Sequence, residues 1–149
     1  MADRFSLRLF LLGIALLAVS ACAPLIAPYS LEAYKNATSL KAETLAMIAE
    51  SGDPFAQHEA DVKALKIKLS AAQEFAAGMP MNRLSAAQWA IMNDPDGGLA
   101  GEHWALWERQ GTMSAAVIAA QLRQIGAAFD EIICLEANKE KNTQCVSGQ

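Results

Sequence analysis

Apolar residues recur at steps of three and four positions along most of the chain after residue 30, and no stretch alternates strictly between apolar and polar side chains. Steps of three and four place apolar side chains on one face of an α-helix, whereas strict alternation is typical of a strand. Alanine is abundant and runs of β-branched residues are scarce, which also favours helix. The pattern therefore predicts an all-α domain.

Two long helices are predicted first, from about Ser30 to Glu50 and from Asp53-Pro54 to about Ala77. Serine and aspartate are good N-cap residues, and proline is tolerated in the first turn because its missing N–H would have no partner there. Ser51-Gly52 separates the two helices. The second helix carries one apolar stripe that includes a histidine. Its members are Phe55, His58, Val62, Leu65, Leu69, Ala72 and Ala76.

The stretch Leu84-Ser85-Ala86-Ala87-Gln88-Trp89 has the spacing of a helix N-terminus. Its serine and glutamine match a capping box, and its leucine and tryptophan occupy the two positions of a hydrophobic staple. A short helix is therefore predicted from Ser85 to about Asn93.

Two more helices are predicted after a turn at Asp94–Gly98, a short one from about Leu99 to Gln110 and a long one from Ser114 to about Lys141. Three long helices and a short pair predict an antiparallel helical bundle, in which the two short helices together act roughly as the third member. The core stripe of the last helix is Ile118, Leu122, Ile125, Phe129 and Ile132.

The first residues of the chain have the features of a secretory signal peptide. Arg4 and Arg8 provide a positive region, and Leu9 to Val19 is an apolar stretch of about a dozen residues. A transmembrane helix needs about 20 apolar residues, so this stretch is too short to span a bilayer comfortably. It ends in Val19-Ser20-Ala21-Cys22, a branched residue and two small residues followed by cysteine, which resembles the lipobox of bacterial lipoproteins.

The lipoprotein resemblance implies that residues 1–21 are removed and that Cys22 becomes the lipidated first residue of the mature chain. Its sulfur would carry a diacylglycerol, and two acyl chains suffice for stable anchorage. Residues 22–29 would form a tether of at most ~25 Å, and residues 30–149 the bundle. In such proteins an aspartate after the cysteine commonly signals inner-membrane retention, and Ala23 stands there instead. We therefore expect the outer membrane, with the domain facing the periplasm. An ordinary secretory signal or an uncleaved anchor is the alternative.

The charge balance of the mature chain argues against nucleic acid as a partner. The full chain has 12 basic and 16 acidic residues, and loss of Asp3, Arg4 and Arg8 with the signal leaves a net charge of −5. The sequence contains no basic block and no interleaving of aromatic and basic residues, the patterns that favour nucleic-acid binding. Because an acidic domain is not attracted to anionic headgroups, the lipid is the expected link to the membrane.

With Cys22 assigned to the anchor, Cys134 and Cys145 remain. An even pair of cysteines in an oxidising compartment predicts a disulfide, and two free thiols are the alternative.

No pattern in the chain predicts catalysis. His58 and His103, on different helices, could ligate haem or a metal together with a methionine thioether, but the sequence lacks Cys-x-x-Cys-His, His-Glu-x-x-His and Glu-x-x-His motifs. The turn at Asp94–Gly98 lacks the full ligand set of an EF-hand. We therefore expect no catalytic residue, no metal and no cofactor.

Trp89, Trp104 and Trp107 fall within nineteen residues on the two short helices. They could close the end of the bundle, line a pocket for an apolar ligand or form a docking surface. Three large rings are many for two short helices, so we expect at least one to stay partly exposed and the region Ser85 to Gln110 to face a partner.

The sequence thus predicts a non-enzymatic, lipid-anchored envelope protein that acts by contact with another envelope protein near the membrane. A helical-bundle binder of a haem, a metal or a small apolar ligand is the alternative.

Overall fold

The computed structural model describes residues 26–141 and Cys145. Residues 26–141 contain five α-helices and one short 3-10 helix, and no strand occurs in this part of the chain. This confirms the all-α prediction. The signal peptide, the lipobox and Cys22 lie outside the described residues. The helices are α1 (Leu31–Ala49), α2 (Glu59–Gly78), α3 (Arg83–Asn93), α4 (Ala100–Gln110) and α5 (Ala115–Lys141), with the 3-10 helix at Phe55–Gln57.

Three of the predicted helix ends are confirmed by their capping contacts. The hydroxyl of Ser30 accepts the backbone N–H of Ala33 at 3.2 Å, which satisfies a donor in the first turn of α1. Ser114 accepts the N–H of Val117 at 3.4 Å at the start of α5. Gly111 ends α4 with φ of 80°, a left-handed conformation that glycine adopts without a steric penalty.

The predicted start of α2 at Asp53-Pro54 is wrong. The backbone at Pro54 is extended, with ψ of 126°, and the chain then makes the 3-10 helix before α2 begins at Glu59. The Phe55 N–H is held by the carbonyl of Gly111 at 2.8 Å, so a residue distant in sequence fixes this turn. His58 consequently precedes the helix instead of belonging to its buried stripe.

The predicted capping box at the start of α3 is also wrong. The helix begins at Arg83, so Ser85 lies inside the first turn and is fully buried. Leu84 is 60% exposed and therefore does not form a staple with Trp89, which is buried. The Ser85 hydroxyl is used by a side chain of α5 instead, as described below.

The three long helices pack side by side, and the short helices follow one another along α2. Helix α1 lies between α2 and α5, with Lys68 of α2 paired to Glu43 at 2.7 Å and Lys41 paired to Asp130 of α5. Helix α3 packs along the second half of α2, where the Asn93 side chain donates to the carbonyl of Leu69 at 3.1 Å. The hydrogen bond from the Phe55 N–H to the Gly111 carbonyl brings the end of α4 close to the start of α2.

The core runs through all five helices and includes all three tryptophans. The fully buried large apolar side chains are Ile48, Val62, Leu69, Met92, Trp104, Trp107, Ile125, Phe129 and Ile132.

Within residues 26–141, no helix is both long and apolar enough to span a membrane.

Candidate functional site

All three tryptophans are buried, so the expectation that at least one stays exposed is wrong. Trp89 of α3 is 3% exposed and meets the ring of Phe129 edge-on at 5.9 Å. Trp104 and Trp107 of α4 are 1% and 0% exposed, with their ring centroids 6.4 Å apart. In this fold their rings belong to the core and do not form an exposed docking surface.

The burial of Trp107 depends on the segment before α2. Its indole N–H donates to the backbone carbonyl of Asp53 at 3.0 Å, and Phe55 covers it edge-on at 5.4 Å. Phe55 of the 3-10 helix and the Asp53 carbonyl therefore cover Trp107 near the end of α4. These contacts account for the burial of Trp107, and they could not be predicted from the two short helices alone.

His103 is fully buried against Trp104 and Trp107. Its ring meets Trp104 edge-on at 5.1 Å and lies 6.4 Å from Trp107. Neither ring nitrogen has a hydrogen-bond partner among the described residues. Burial removes water from the imidazole and lowers the pKa of His103 from 6.5 to about 4, so this histidine is neutral at physiological pH.

His58 also lies beside Trp107 and is only partly buried. Its Nδ1 is 3.4 Å from a carboxylate oxygen of Glu50, and its Nε2 is 3.7 Å from one of Asp53. Its ring lies 5.4 Å from Trp107, the indole that His103 also approaches. Among the described residues, no three His, Cys, Asp or Glu side chains are arranged to hold a metal ion.

A groove of about 430 Å³ lies between α2 and α4, next to the 3-10 helix. Its apolar lining comes from Phe55, Val62, Ile67 and Trp104, and two lysines and two glutamates also line it. The Trp104 indole N–H has no partner among the described residues. The groove thus combines apolar walls with charges of both signs, which is the composition of a small-molecule site.

A smaller cavity of about 50 Å³ adjoins this groove and shares Trp104 with it. Asn93 also lines the small cavity, and its side-chain oxygen is a buried acceptor without a partner in the described part of the chain. Sequence reasoning missed this site because its residues come from helices far apart in the chain.

A buried ion pair within α5 is hydrogen-bonded to residues at the start of α3. Lys139 and Glu136 have side chains only 1% exposed, and the ammonium lies 2.7 Å from both carboxylate oxygens. The same ammonium donates to Ser85 Oγ at 3.0 Å and to the side-chain oxygen of Asn82. Asn82 in turn donates to the Ala76 carbonyl at 2.9 Å near the end of α2.

This network holds three helices at one end of the bundle, and sequence analysis did not predict it. The only local signal is the spacing of three residues between Glu136 and Lys139, which on an exposed helix would indicate a weak surface pair. The burial of both charges becomes visible only when α3 is placed against α5.

The predicted disulfide between Cys134 and Cys145 is confirmed. Their Cα atoms are 5.8 Å apart and their sulfur atoms are bonded. The bridge ties residue 145 to the last turns of α5, and the Asn138 amide donates to both sulfur atoms at 3.0 Å.

Comparison of this chain with known proteins finds no matching family model, no matching curated protein and no matching solved structure.

Proposed function

We propose that this protein is a non-enzymatic envelope lipoprotein, anchored through Cys22 and acting by contact with another envelope protein near the membrane. The lipobox Val19-Ser20-Ala21-Cys22 carries the proposal, because a small-residue stretch ending in cysteine directly after a signal-like apolar segment is specific in that position. Ala23 favours the outer membrane, with the domain in the periplasm.

Two features of the folded domain support this compartment and this anchorage. The Cys134–Cys145 disulfide is stable in an oxidising compartment, and the periplasm is one. Ala27 is fully buried and its N–H donates to the Met81 carbonyl at 3.2 Å, so the domain begins within five residues of Cys22. A domain fastened this close to a lipidated cysteine stays near the bilayer, which suits a protein that meets its partner there.

The anchor and the membrane are tested together by labelling and fractionation. Cells expressing the protein are fed labelled palmitate, and their inner and outer membranes are separated by density. We expect labelled wild-type protein in the outer membrane, no label in the Cys22→Ser variant, and a shift of the Ala23→Asp variant to the inner membrane. The Ala23→Ser variant is the matched control and should fractionate as wild type. Unlabelled wild-type protein would refute the anchor.

Binding of a small apolar ligand is a second candidate function, and the groove beside Trp104 favours it. Ile67 lines that groove and is 63% exposed, so it can be changed without disturbing the core. Ile91 is 54% exposed on α3, does not line the groove and serves as the control. Because both side chains are exposed, a glutamate at either position can remain in contact with water.

Fluorescence titration with N-phenyl-1-naphthylamine, a neutral apolar probe, tests this second function. If the groove binds apolar molecules, the wild type and the Ile91→Glu variant should bind the probe with the same affinity. The Ile67→Glu variant should bind roughly tenfold more weakly, the loss expected when one large apolar contact is removed. Equal binding by both variants, or no saturable binding by the wild type, excludes the groove as the site.

A further inference from the structure

The end of the bundle nearest the anchor has an apolar and almost uncharged tip. We define the tip as residues 26–31 and 79–84, the segments that precede α1 and join α2 to α3, each with the first residue or two of the helix that follows. These residues include a single charged side chain, Arg83, and the start of α1 beyond Leu31 adds one exposed residue of each sign, Glu32 and Lys35. Their exposed large apolar side chains are Ile26, Leu31, Met81 and Leu84, with exposed fractions of 39%, 54%, 47% and 60%.

The tip is rigidly built. The buried N–H of Ala27 donates to the carbonyl of Met81, which joins the two segments. Met81 has φ of 61°, a left-handed conformation that costs a non-glycine residue about 1–2 kcal/mol and persists only where neighbouring contacts hold it. Asn82 provides such contacts through its hydrogen bonds to Ala76 and Lys139. The fold therefore holds an exposed methionine in place instead of burying it.

The tip lies within short reach of the anchor position. Four residue steps separate Cys22 from Ile26, and an extended chain of that length spans at most ~14 Å. The headgroup region of one leaflet is itself about 5–8 Å thick. An acylated Cys22 would therefore bring the tip to the bilayer surface.

Charge is distributed in the opposite sense at the far end of the bundle. The segment from the end of α1 to the first turn of α2 contains Glu50, Asp53, Glu59 and Asp61, all exposed. Acidic side chains are repelled by anionic headgroups, whereas exposed apolar side chains gain free energy on leaving water. The two ends of the molecule thus differ in their affinity for a bilayer.

From these observations we infer that the tip inserts into the membrane interface, so that the bundle stands end-on with its acidic end directed away from the bilayer. This inference rests on the proposed anchorage at Cys22. The partner is the lipid surface itself, and the tip acts as a second attachment point that fixes the orientation of the domain. The acyl chains alone would hold the domain near the membrane without orienting it.

Depth-dependent quenching of an added tryptophan tests the orientation. Leu84 and Ile91 are 60% and 54% exposed on the same helix, and their seven-residue separation places them on one face about 10 Å apart. The full lipidated protein, as the Leu84→Trp or the Ile91→Trp variant, is reconstituted in vesicles of phosphatidylethanolamine and phosphatidylglycerol. Part of the lipid is then replaced by brominated phosphatidylcholine, which quenches tryptophan within the bilayer, and wild type gives the background from the three buried rings.

We expect bromolipid to quench the Leu84→Trp variant well above the wild-type background and to leave the Ile91→Trp variant at background. The Ile26→Trp variant places the probe on the other tip segment and should behave like Leu84→Trp. Quenching of the Leu84→Trp and Ile91→Trp variants that is equal and above the wild-type background would mean that the domain lies on its side. That result overturns the inference. Background quenching at both tip positions in protein that floats with the vesicles also overturns it, while leaving the anchor intact. Protein that does not float with vesicles at all contradicts the anchorage.

Discussion

At the scale of single residues, the buried imidazole of His103 has the clearest consequence. It packs against the indole rings of Trp104 and Trp107, and its nitrogens have no hydrogen-bond partner among the described residues. Because its pKa falls from 6.5 to about 4 on folding, the unfolded chain binds a proton that the folded chain does not bind between these values. Stability from this residue is therefore complete above pH 6.5 and is lost as the pH falls toward 4.

The first prediction is a pH-dependent loss of stability due to His103. The free energy of unfolding should fall by about 2 kcal/mol between pH 7 and pH 5, the range above most carboxylate titrations. The His103→Leu variant should lose most of this dependence, whereas the His58→Gln variant should keep it. Urea titrations at four pH values measure the slopes. A His103→Leu slope equal to that of wild type would show that other groups cause the dependence.

Gly101 gives a second prediction at this scale. A Cβ atom there would lie 2.3 Å from the backbone oxygen of Asn93 and 2.5 Å from that of Asp94, so alanine requires the backbone to move. The Gly101→Ala variant should lose about 1–3 kcal/mol of stability. At Gly78, the last residue of α2, a Cβ atom meets nothing within 4 Å. The Gly78→Ala variant should be unchanged or gain up to ~1 kcal/mol. Thermal unfolding of both variants compares them, and equal melting temperatures would contradict the packing of α4 against the end of α3.

At the scale of helices, local sequence signals predicted the presence of each helix better than the residue at which it begins. The apolar stripes of α2 and α5 and the caps at Ser30 and Ser114 could be predicted because they depend on neighbours three or four residues away. The starts of α2 and α3 were wrongly predicted because distant partners decide them. Gly111 holds the turn after Pro54, and Lys139 engages the Ser85 hydroxyl.

The buried pair of Glu136 and Lys139 makes the third prediction. Removing one partner leaves an unpaired charge in the core, so the Lys139→Met variant should lose about 3–5 kcal/mol of stability. The Lys139→Met and Glu136→Leu double variant should be more stable than the single variant, because no charge remains buried. Lys68 and Glu43 form an exposed pair at 2.7 Å, and the Lys68→Met control should lose less than ~1 kcal/mol. Denaturant unfolding of the four proteins settles the comparison. A double variant less stable than Lys139→Met would show that the pair itself stabilises the junction.

At the scale of the whole molecule, the two ends of the bundle differ in composition. The end that holds residues 26–31 contains the apolar tip, the buried ion pair and the disulfide, which together join the start of α1, the α2–α3 connection and the last turns of α5. The far half contains the packed rings of Trp104 and Trp107 and the groove beside Trp104. The groove and the tip were not predictable from sequence because neither has a local pattern. Each arises from segments that meet only when the helices pack.

The central claim is that Cys22 carries the lipid that places this domain at the membrane. Mass spectrometry of the N-terminal peptide of protein extracted from membranes tests this claim most directly. We predict a peptide that begins at Cys22 and carries the added mass of a diacylglycerol, with or without a third acyl chain. A peptide that begins before Cys22, or one that contains an unmodified cysteine, would contradict the claim.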